Sequence, residues 1–371
     1  MLGACSGCRA RTPALPFPVS ALSLTVMRRF LQRSGCLLGC VLLIVAFMAF
    51  KKSLPLKTFH INGFAQGTTY HITYYAPDSS LTREQTDSIF TAIDSSLSIY
   101  KPYSQITRFN KEKRGLVPDK HLKKVVIKAL EVSWASAGIF DITVMPLVKL
   151  WGFGPDGRSK TEPTPQQVKA ALAYVGYQKL YFKGDSLLKK DPRLTIDVNG
   201  IAQGYTVDVI AGFLEGKGVQ HYLVEVGGEI RIKGRKQPSG ERMKIGVESP
   251  SDKEDESEPV LIKTIFLDDG AVTTSGKYRN FYQNGNKKIS HLIDPRTGYT
   301  LQNEMISVTI VAKDGITADA YDNVFMGLHL NEAFAFLKKH PGMEGYFIYT
   351  KANGTVADTA SAGFEALKNR D

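Results

Sequence analysis

From residue 194 onward the chain is a succession of short apolar strands joined mostly by turns, and this pattern restricts its fold more than any other feature. Segments 194–198, 222–232, 243–247, 261–267, 289–293 and 306–312 read as strands. Helical patterns intervene at about 201–214, 317–328 and 331–339. Parallel strands need a long crossover, usually a helix, between each pair. Regular crossovers are missing here, so the pattern predicts an α+β fold with a largely antiparallel sheet and flanking helices. Upstream, the run TTYHITYY at 68–75 alternates like a half-buried strand, and Ser80 is placed to cap a helix with Ile89, Ile93 and Leu97 on its apolar face. Residues 121–137 offer a second helix, Pro163 and Pro165 open a third, and Gly184-Asp185 marks a hairpin.

The net charge of +11 at first suggests an acidic partner such as nucleic acid, but residues 1–77 contain no acid and carry +8, leaving +3 for the remaining 294 residues. All four cysteines lie at or before residue 40, which excludes a disulfide framework or thiolate metal site for the rest. Residues 35–50, GCLLGCVLLIVAFMAF, are uncharged, preceded by Arg28, Arg29 and Arg33 and followed by Lys51 and Lys52. The run is shorter than the roughly 20 residues of a standard span. Phe47 is a poor −3 residue for cleavage before Phe50, which favours an uncleaved signal-anchor over a signal peptide. Leu37-Leu38-Gly39-Cys40 looks like a lipoprotein box, but its apolar run follows the cysteine. Met27 begins a better leader than the Pro-rich residues before it. The expected organisation is therefore a gene-model extension or disordered leader at 1–26, a signal-anchor at 27–56 and one working domain at 57–371.

Five stretches of that domain carry polar, small and acidic residues at the ends of apolar runs. SIYKPYSQITRFN (98–110) sets aromatic rings beside polar donors, which suits a flat heterocycle. GIFDITVMPLVKLWGFG (138–154) holds Asp141 among apolar neighbours, where a carboxylate must be paired, bonded or cation-bound; capping the following element is the simpler alternative. IDVNGIAQGYTVD (196–208) runs a strand through Asn199-Gly200 into a helix whose first amides suit phosphate. VEVGGEI (224–230) places two glycines in a strand, marking a bulge or a close ligand contact. The fifth set joins Thr273-Thr274-Ser275-Gly276, Ser290-His291 with its IDPRTG turn, and Asp319 with Asn323, four apart on one helical face. A carboxylate and an amide oxygen there could hold a hard cation such as Mg²⁺. Together the stretches point to phosphoryl chemistry on a nucleotide-like ligand.

In that order, Gln66-Gly67-Thr68, SIYKPYSQITRFN, FDITVMPLVKLWGFG, IDVNGIAQGYTVD, VEVGGEI, TTSGKYRN, SHLIDPRTG and TADAYDN resemble the ApbE family, the FAD:protein FMN transferases. The resemblance implies a T-fold-like α+β domain with FAD in a cleft, and Mg²⁺-dependent transfer of FMN to a Thr or Ser hydroxyl of an acceptor protein, with release of AMP. It makes Asp319, Asn323 and the Ala202 carbonyl the metal ligands and His291 the general base. It puts Gly67, Thr68, Tyr100, Ser104, Asp141, Gln203, Glu225, Ser275 and Gly276 at flavin-contacting or site-shaping positions. Two departures stand out: the family often has Lys where this chain has Gln203, and Gly where it has Met145. The loss of a cation at 203 shifts phosphate binding toward Mg²⁺ and backbone amides.

The resemblance further implies flavin-accepting redox proteins with an Asp-x-x-Ser/Thr-Gly-Ala-Thr-like motif as partners, no nucleic acid, and a place at the cell inner membrane with the working domain outside the cytoplasm. An imidazole, with an ordinary pKa of roughly 6.5, suits base work near neutrality. Two other functions use the same residues differently: an FAD pyrophosphatase, with water as nucleophile, and a non-catalytic flavin-binding protein. For the leader, N-terminal sequencing of the expressed protein is expected to find Met27 first; residues upstream of it would refute the extension.

Overall fold

The computed structural model describes residues 54–157, 162–248, 261–278, 280–284 and 287–369, and residues 55–371 form one compact unit. Its frame is an eight-stranded sheet in which every pairing is antiparallel. Strands Lys57–Ala65, Thr68–Ala76, His221–Val226, Glu229–Lys233, Asp269–Gly276, Met305–Ala312, Glu344–Thr350 and Val356–Ala360 lie side by side in that order. Spatial order thus follows chain order, and everything else is an excursion between sheet neighbours.

Alternation along the strands divides the apolar residues between two faces. Val224, Val226, Ala271, Val308 and Ile310 face the helices Asn199–Gly216 and Gly315–Met326 or their surroundings. Ile232, Val272, Val311, Tyr346 and Ile348 face the opposite way, onto the hairpin Met243–Glu248 and Leu261–Leu267. The fold is therefore α+β with helices on one face of an antiparallel sheet, as the turn-joined strands predict.

Several details differ from the sequence reading. Thr82, not Ser80, caps the first helix, Arg83–Leu97, because Gln85 three residues on completes a capping box with it. Residues 194–198 belong to no strand and form no ladder. Leu194, Ile196 and Val198 are buried in the core, and the Asn110 side chain replaces a partner strand by donating to the Ile196 carbonyl and accepting from its amide. Gly227-Gly228 is not a bulge within one strand but the two-residue turn of a hairpin, with φ of 61° and 95°. Gln66-Gly67, with φ of 53° and 78°, turns the first hairpin in the same way. The sequence pattern assigns no strand to Lys57–Ala65, Glu344–Thr350 or Val356–Ala360, yet the first and last form the sheet edges and the second lies between the strand Met305–Ala312 and the last. The basic, apolar segment 27–50 and the proposed extension 1–26 lie outside the described residues; among the described residues no helix is long and apolar enough to cross a membrane.

The helices Asn199–Gly216 and Gly315–Met326 cross at two glycines. A Cβ on Gly204 would collide with the Gly315 carbonyl oxygen, and one on Gly315 with the Gly204 carbonyl oxygen. Asp208 locks the crossing by accepting from the amides of Gly315 and Ile316, each at 2.8 Å. Gly204→Ala gains helix propensity but forces the crossing apart. It is expected to destabilise the protein by about 1–3 kcal/mol, read as a lower urea midpoint; an unchanged midpoint would show that the crossing relaxes freely.

Candidate active site

A cavity of about 310 Å³ opens where the N-terminus of the Asn199 helix, the helix Gly315–Met326 and the ends of the strands Glu229–Lys233 and Asp269–Gly276 converge. That volume lies at the small end of the range for small-molecule sites. Asn199, Gly200 and Gln203 of the first helical turns line it, and no side chain caps that helix at Val198. Of the residues singled out from sequence, Tyr100, Asp141, Gln203, Ser275, Gly276, His291, Asp319 and Asn323 line this one cavity.

Each is held by identifiable contacts. Tyr100 is 61% exposed, so it can present its ring at the rim. Asp141 is buried and accepts from the amide and hydroxyl of Thr143 and the amide of Tyr177. Those bonds make it chiefly the cap of the turn Ile142–Val144, although burial still pushes its carboxyl upward. His291 Nδ1 lies 2.9 Å from the Asn280 carbonyl oxygen, which can only accept. The ring proton therefore sits on Nδ1 and the basic lone pair on Nε2. The Phe153 ring stands edge-on to the imidazole at 6.3 Å. Lys277 is drawn inward just beyond Gly276. Its ammonium donates to the carbonyl and side-chain oxygen of Asn303, and burial pushes it down to about 8. Asn303 in turn donates to the carbonyls of Met326 and Leu328, tying the end of the Ser275-Gly276 strand to the end of the helix bearing Asp319.

Other candidates stand apart from the cavity. Ser104 is fully buried and caps the helix Gln105–Lys111, accepting from Thr107 N and donating to the Ser98 carbonyl. Gly67 and Thr68 belong to the first hairpin turn; Thr68 meets Gln203 around Gly227, where a Cβ would come within 2.8 Å of Thr68 Cγ2 and 2.9 Å of Gln203 Nε2. The Ala202 carbonyl accepts from the Thr206 hydroxyl at 2.7 Å within the helix. Glu225 does not line the cavity. Its strand directs it away from Val224 and Val226, and it bonds His71 at 2.7 Å and the Gly228 amide at 2.6 Å.

The sequence reading passed over the residue that takes that place. Glu229 pairs with Val226 across the hairpin and so shares its helix-facing side. It lies with Asp319 and Asp322 such that one carboxylate oxygen of each falls within 4.8 Å of the others. The three are 5%, 4% and 1% exposed. Three buried carboxylates this close repel strongly unless protons or a cation intervene. An all-oxygen, anionic set of this kind fits a hard divalent cation, so Mg²⁺ is chemically compatible with it. Asp322 was discoverable, since positions three apart on a helix also share a face. Glu229 was not, because a bulge and a turn at the two glycines give opposite strand parity.

A helix N-terminus, a carboxylate cluster and an imidazole with its tautomer fixed, all at one cavity, define an enzyme site suited to phosphate-bearing substrates; the amides of Asn199, Ile201 and Ala202 are taken up by Asp197 and the Val198 carbonyl, so that helix end acts chiefly through its dipole. Comparison with known proteins makes the class specific. Residues 66–347 match the family model described as ApbE family, and the chain belongs to that family. It is 35% identical to the FAD:protein FMN transferase of Vibrio cholerae over 271 residues, 71% of this chain and 80% of that one. It is 33% identical to the FAD:protein FMN transferase of Haemophilus influenzae over 318 residues, 82% and 90% of the two chains. Among solved structures, the flavin transferase ApbE from Vibrio cholerae superposes with a TM-score of 0.75 at 32% identity, covering 84% of this chain and all of that one. The apo form of the Pseudomonas stutzeri flavinyl transferase ApbE also gives 0.75 at 32% identity, covering 84% and 97%.

Asp197, on the cavity wall, accepts from the Asn199 amide, and burial pushes its carboxyl up to about 6. The folded state therefore keeps this proton after the unfolded chain has released it near pH 4. Stability from this group falls as pH rises between about 4 and 6 and stays lowered above. Asp197→Asn keeps the acceptor and removes the titration. Its stability relative to wild type is expected to rise across that window by about 2–3 kcal/mol. Urea unfolding at pH 4, 5, 6 and 7 checks this; a constant difference would refute the assignment.

Proposed function

We propose that this protein transfers FMN from FAD to a Thr or Ser hydroxyl of an acceptor protein. Family membership and the printed names of the relatives support flavin transfer. The observation that carries the finer reading is that His291, the Ser275-Gly276 strand end, the Asn199 helix terminus and Asp319 face one cavity. In the reaction the hydroxyl oxygen bonds to the FMN phosphorus, the bond to the AMP oxygen breaks, and the hydroxyl proton goes to His291 Nε2. The positive end of the Asn199 helix orients the pyrophosphate, and Tyr100 and the Ser275-Gly276 backbone flank the flavin. Bound by the carboxylate cluster around Asp319, Mg²⁺ would supply charge neutralisation for the departing AMP. Gln203 brings hydrogen bonds but no charge, so the phosphates depend more on the helix dipole and the cation.

The acceptors are redox proteins with an Asp-x-x-Ser/Thr-Gly-Ala-Thr-like motif. The arginine-led apolar run at 35–50 supports an N-terminal membrane anchor, with residues 57–371 working outside the cytoplasm. Co-expression with such an acceptor is expected to give in-gel flavin fluorescence and an FMN mass shift on one Thr. Rapid release of FMN and AMP without any acceptor would instead favour a pyrophosphatase. His291→Ala is expected to keep FAD binding and lose at least about a hundredfold in transfer rate; transfer at the wild-type rate would remove His291 as the base.

A further inference from the structure

The small net charge of the working domain conceals a division. Segments 101–124 and 179–193 together carry 13 Lys+Arg against 4 Asp+Glu, while the rest of residues 78–371 carries 26 against 32. One part of the domain is thus +9 and the remainder −6. The fold brings the two segments together. Gly115–Leu116 pairs with the strand Ser186–Lys189, the Lys189 amide donates to the Arg114 carbonyl, and the buried Lys189 ammonium donates to the carbonyls of Phe109 and Leu194. Lys123 reaches Asp185 at 2.7 Å. Lys101, Arg108, Lys111, Lys113 and Arg114 are exposed, and none has an ion-pair partner among the described residues. Such a cluster repels itself, and a partner of opposite sign that covers it offsets the repulsion.

The cluster is fastened to the rim of the active-site cavity. Tyr100 lines that cavity, and the loop after it is wound tightly into the helix Gln105–Lys111: the Lys101 amide donates to the Ser98 carbonyl, and the Ser104 amide to the Lys101 carbonyl. In the last turn of that helix Asn110 holds both backbone groups of Ile196, next to Asp197 on the cavity wall. The helix is seven residues long, about 10 Å, and is anchored beside the cavity at both ends. Ile106 and Phe109 are buried while Arg108 and Lys111 are exposed, so its cationic face is turned outward. Among the described residues that line the cavity there is no Lys or Arg, so these cations do not serve phosphates inside it. Tyr103, 66% exposed, stands in the same loop. Exposed tyrosine beside arginine is the composition of a protein interface.

We infer that the surface around Tyr103, formed by Lys101, Arg108, Lys111, Lys113 and Arg114, is where the acceptor protein docks, through an acidic face beside the hydroxyl it presents. This deepens the proposed function and rests on its assignment of a protein hydroxyl as the nucleophile. That hydroxyl must reach His291 at the cavity, so the macromolecule carrying it covers the rim at Tyr100 and, a few residues on, meets the start of the cationic helix. A bilayer lying on the same surface would close the rim to the acceptor, which favours protein over lipid. Complementary charge speeds the encounter and orients it before short-range contacts form. The Tyr103 ring then slows release.

The test uses the full chain in neutral detergent micelles and, as acceptor, the purified flavin-accepting domain of a redox protein with an Asp-x-x-Ser/Thr-Gly-Ala-Thr-like motif. Transfer rates are measured over a range of acceptor concentrations. The triple variant Arg108→Glu, Lys111→Glu, Lys113→Glu is expected to lower kcat/KM for the acceptor by at least about tenfold, while kcat at saturating acceptor and the affinity for FAD stay at the wild-type values. Raising salt from about 0.01 M to about 0.15 M shrinks the Debye length from about 30 Å to about 8 Å. That change is expected to lower the wild-type kcat/KM severalfold and to leave the triple variant nearly flat. Replacing the same three residues with Gln gives an intermediate loss, and carries the test if the charge-reversed protein melts early. Tyr103→Ala is expected to speed acceptor dissociation by at least about fivefold. Lys244→Glu, Lys313→Glu and Lys351→Glu together make the same change of charge at exposed positions outside both segments, and are expected to leave kcat/KM near wild type. An equal loss in that control, or wild-type kcat/KM after reversal at 108, 111 and 113, would overturn the inference. So would a loss that appears only in vesicles containing phosphatidylglycerol, which would assign the surface to lipid. Acceptor binding that the reversal abolishes, in a protein that transfers no FMN, would leave the docking surface standing and refute the proposed function instead.

Discussion

The bond from the Gly204 amide to Asp319 joins the two helices on which the site depends. Gly204 can donate it only because nothing larger than hydrogen separates the helices there, and Gly315 repeats the requirement from the other side. Asp208 holds the same crossing one turn further along. The Asn199 helix opens onto the cavity while its sixth and tenth residues, Gly204 and Asp208, fix the partner helix. One rigid contact thus sets the distance between the N-terminal end of that helix and a carboxylate cluster. Electrostatic catalysis relies on such fixed groups, because they need not reorganise as charge develops.

The sheet contributes in a complementary way. Its helix-facing side is apolar over most of its area but becomes polar at Glu229, Thr273 and Ser275, beneath the helix Gly315–Met326. Its other side carries a separate apolar core against the hairpin Met243–Glu248 and Leu261–Leu267. Burial on both sides holds the strands in register, so the polar residues at their ends are fixed as firmly as the core.

The fold class was legible because strand periodicity and turn spacing are local properties, and residues 222–232 or 306–312 carry both. Much of the site was legible too, since Tyr100, His291, Asp319 and Ser275-Gly276 stand out chemically against apolar surroundings. What escaped depends on relations between distant residues. Glu229 and Glu225 look equivalent in sequence, and only the two-residue turn at Gly227-Gly228 decides which faces the helices. Residues 194–198 have the composition of a strand, but their hydrogen-bond partner is the side chain of Asn110, which no periodicity reveals. Ser104 and Asp141 stand in stretches rich in functional residues, yet their contacts make them caps of the local backbone.

Strands that follow one another in space as they do along the chain give the frame an unusual independence from its inserts. Among the described residues, no pairing within this sheet encloses another of the same sheet, so each excursion leaves the sheet and returns to the next place in line. The Asn199 helix, the His291 segment and the helix bearing Asp319 arrive in three different excursions. Each can lengthen, shorten or change composition without shifting the register of the other two. A lineage can therefore alter the helix end, the His291 segment or the carboxylate cluster one at a time, while the sheet keeps the three at one cavity.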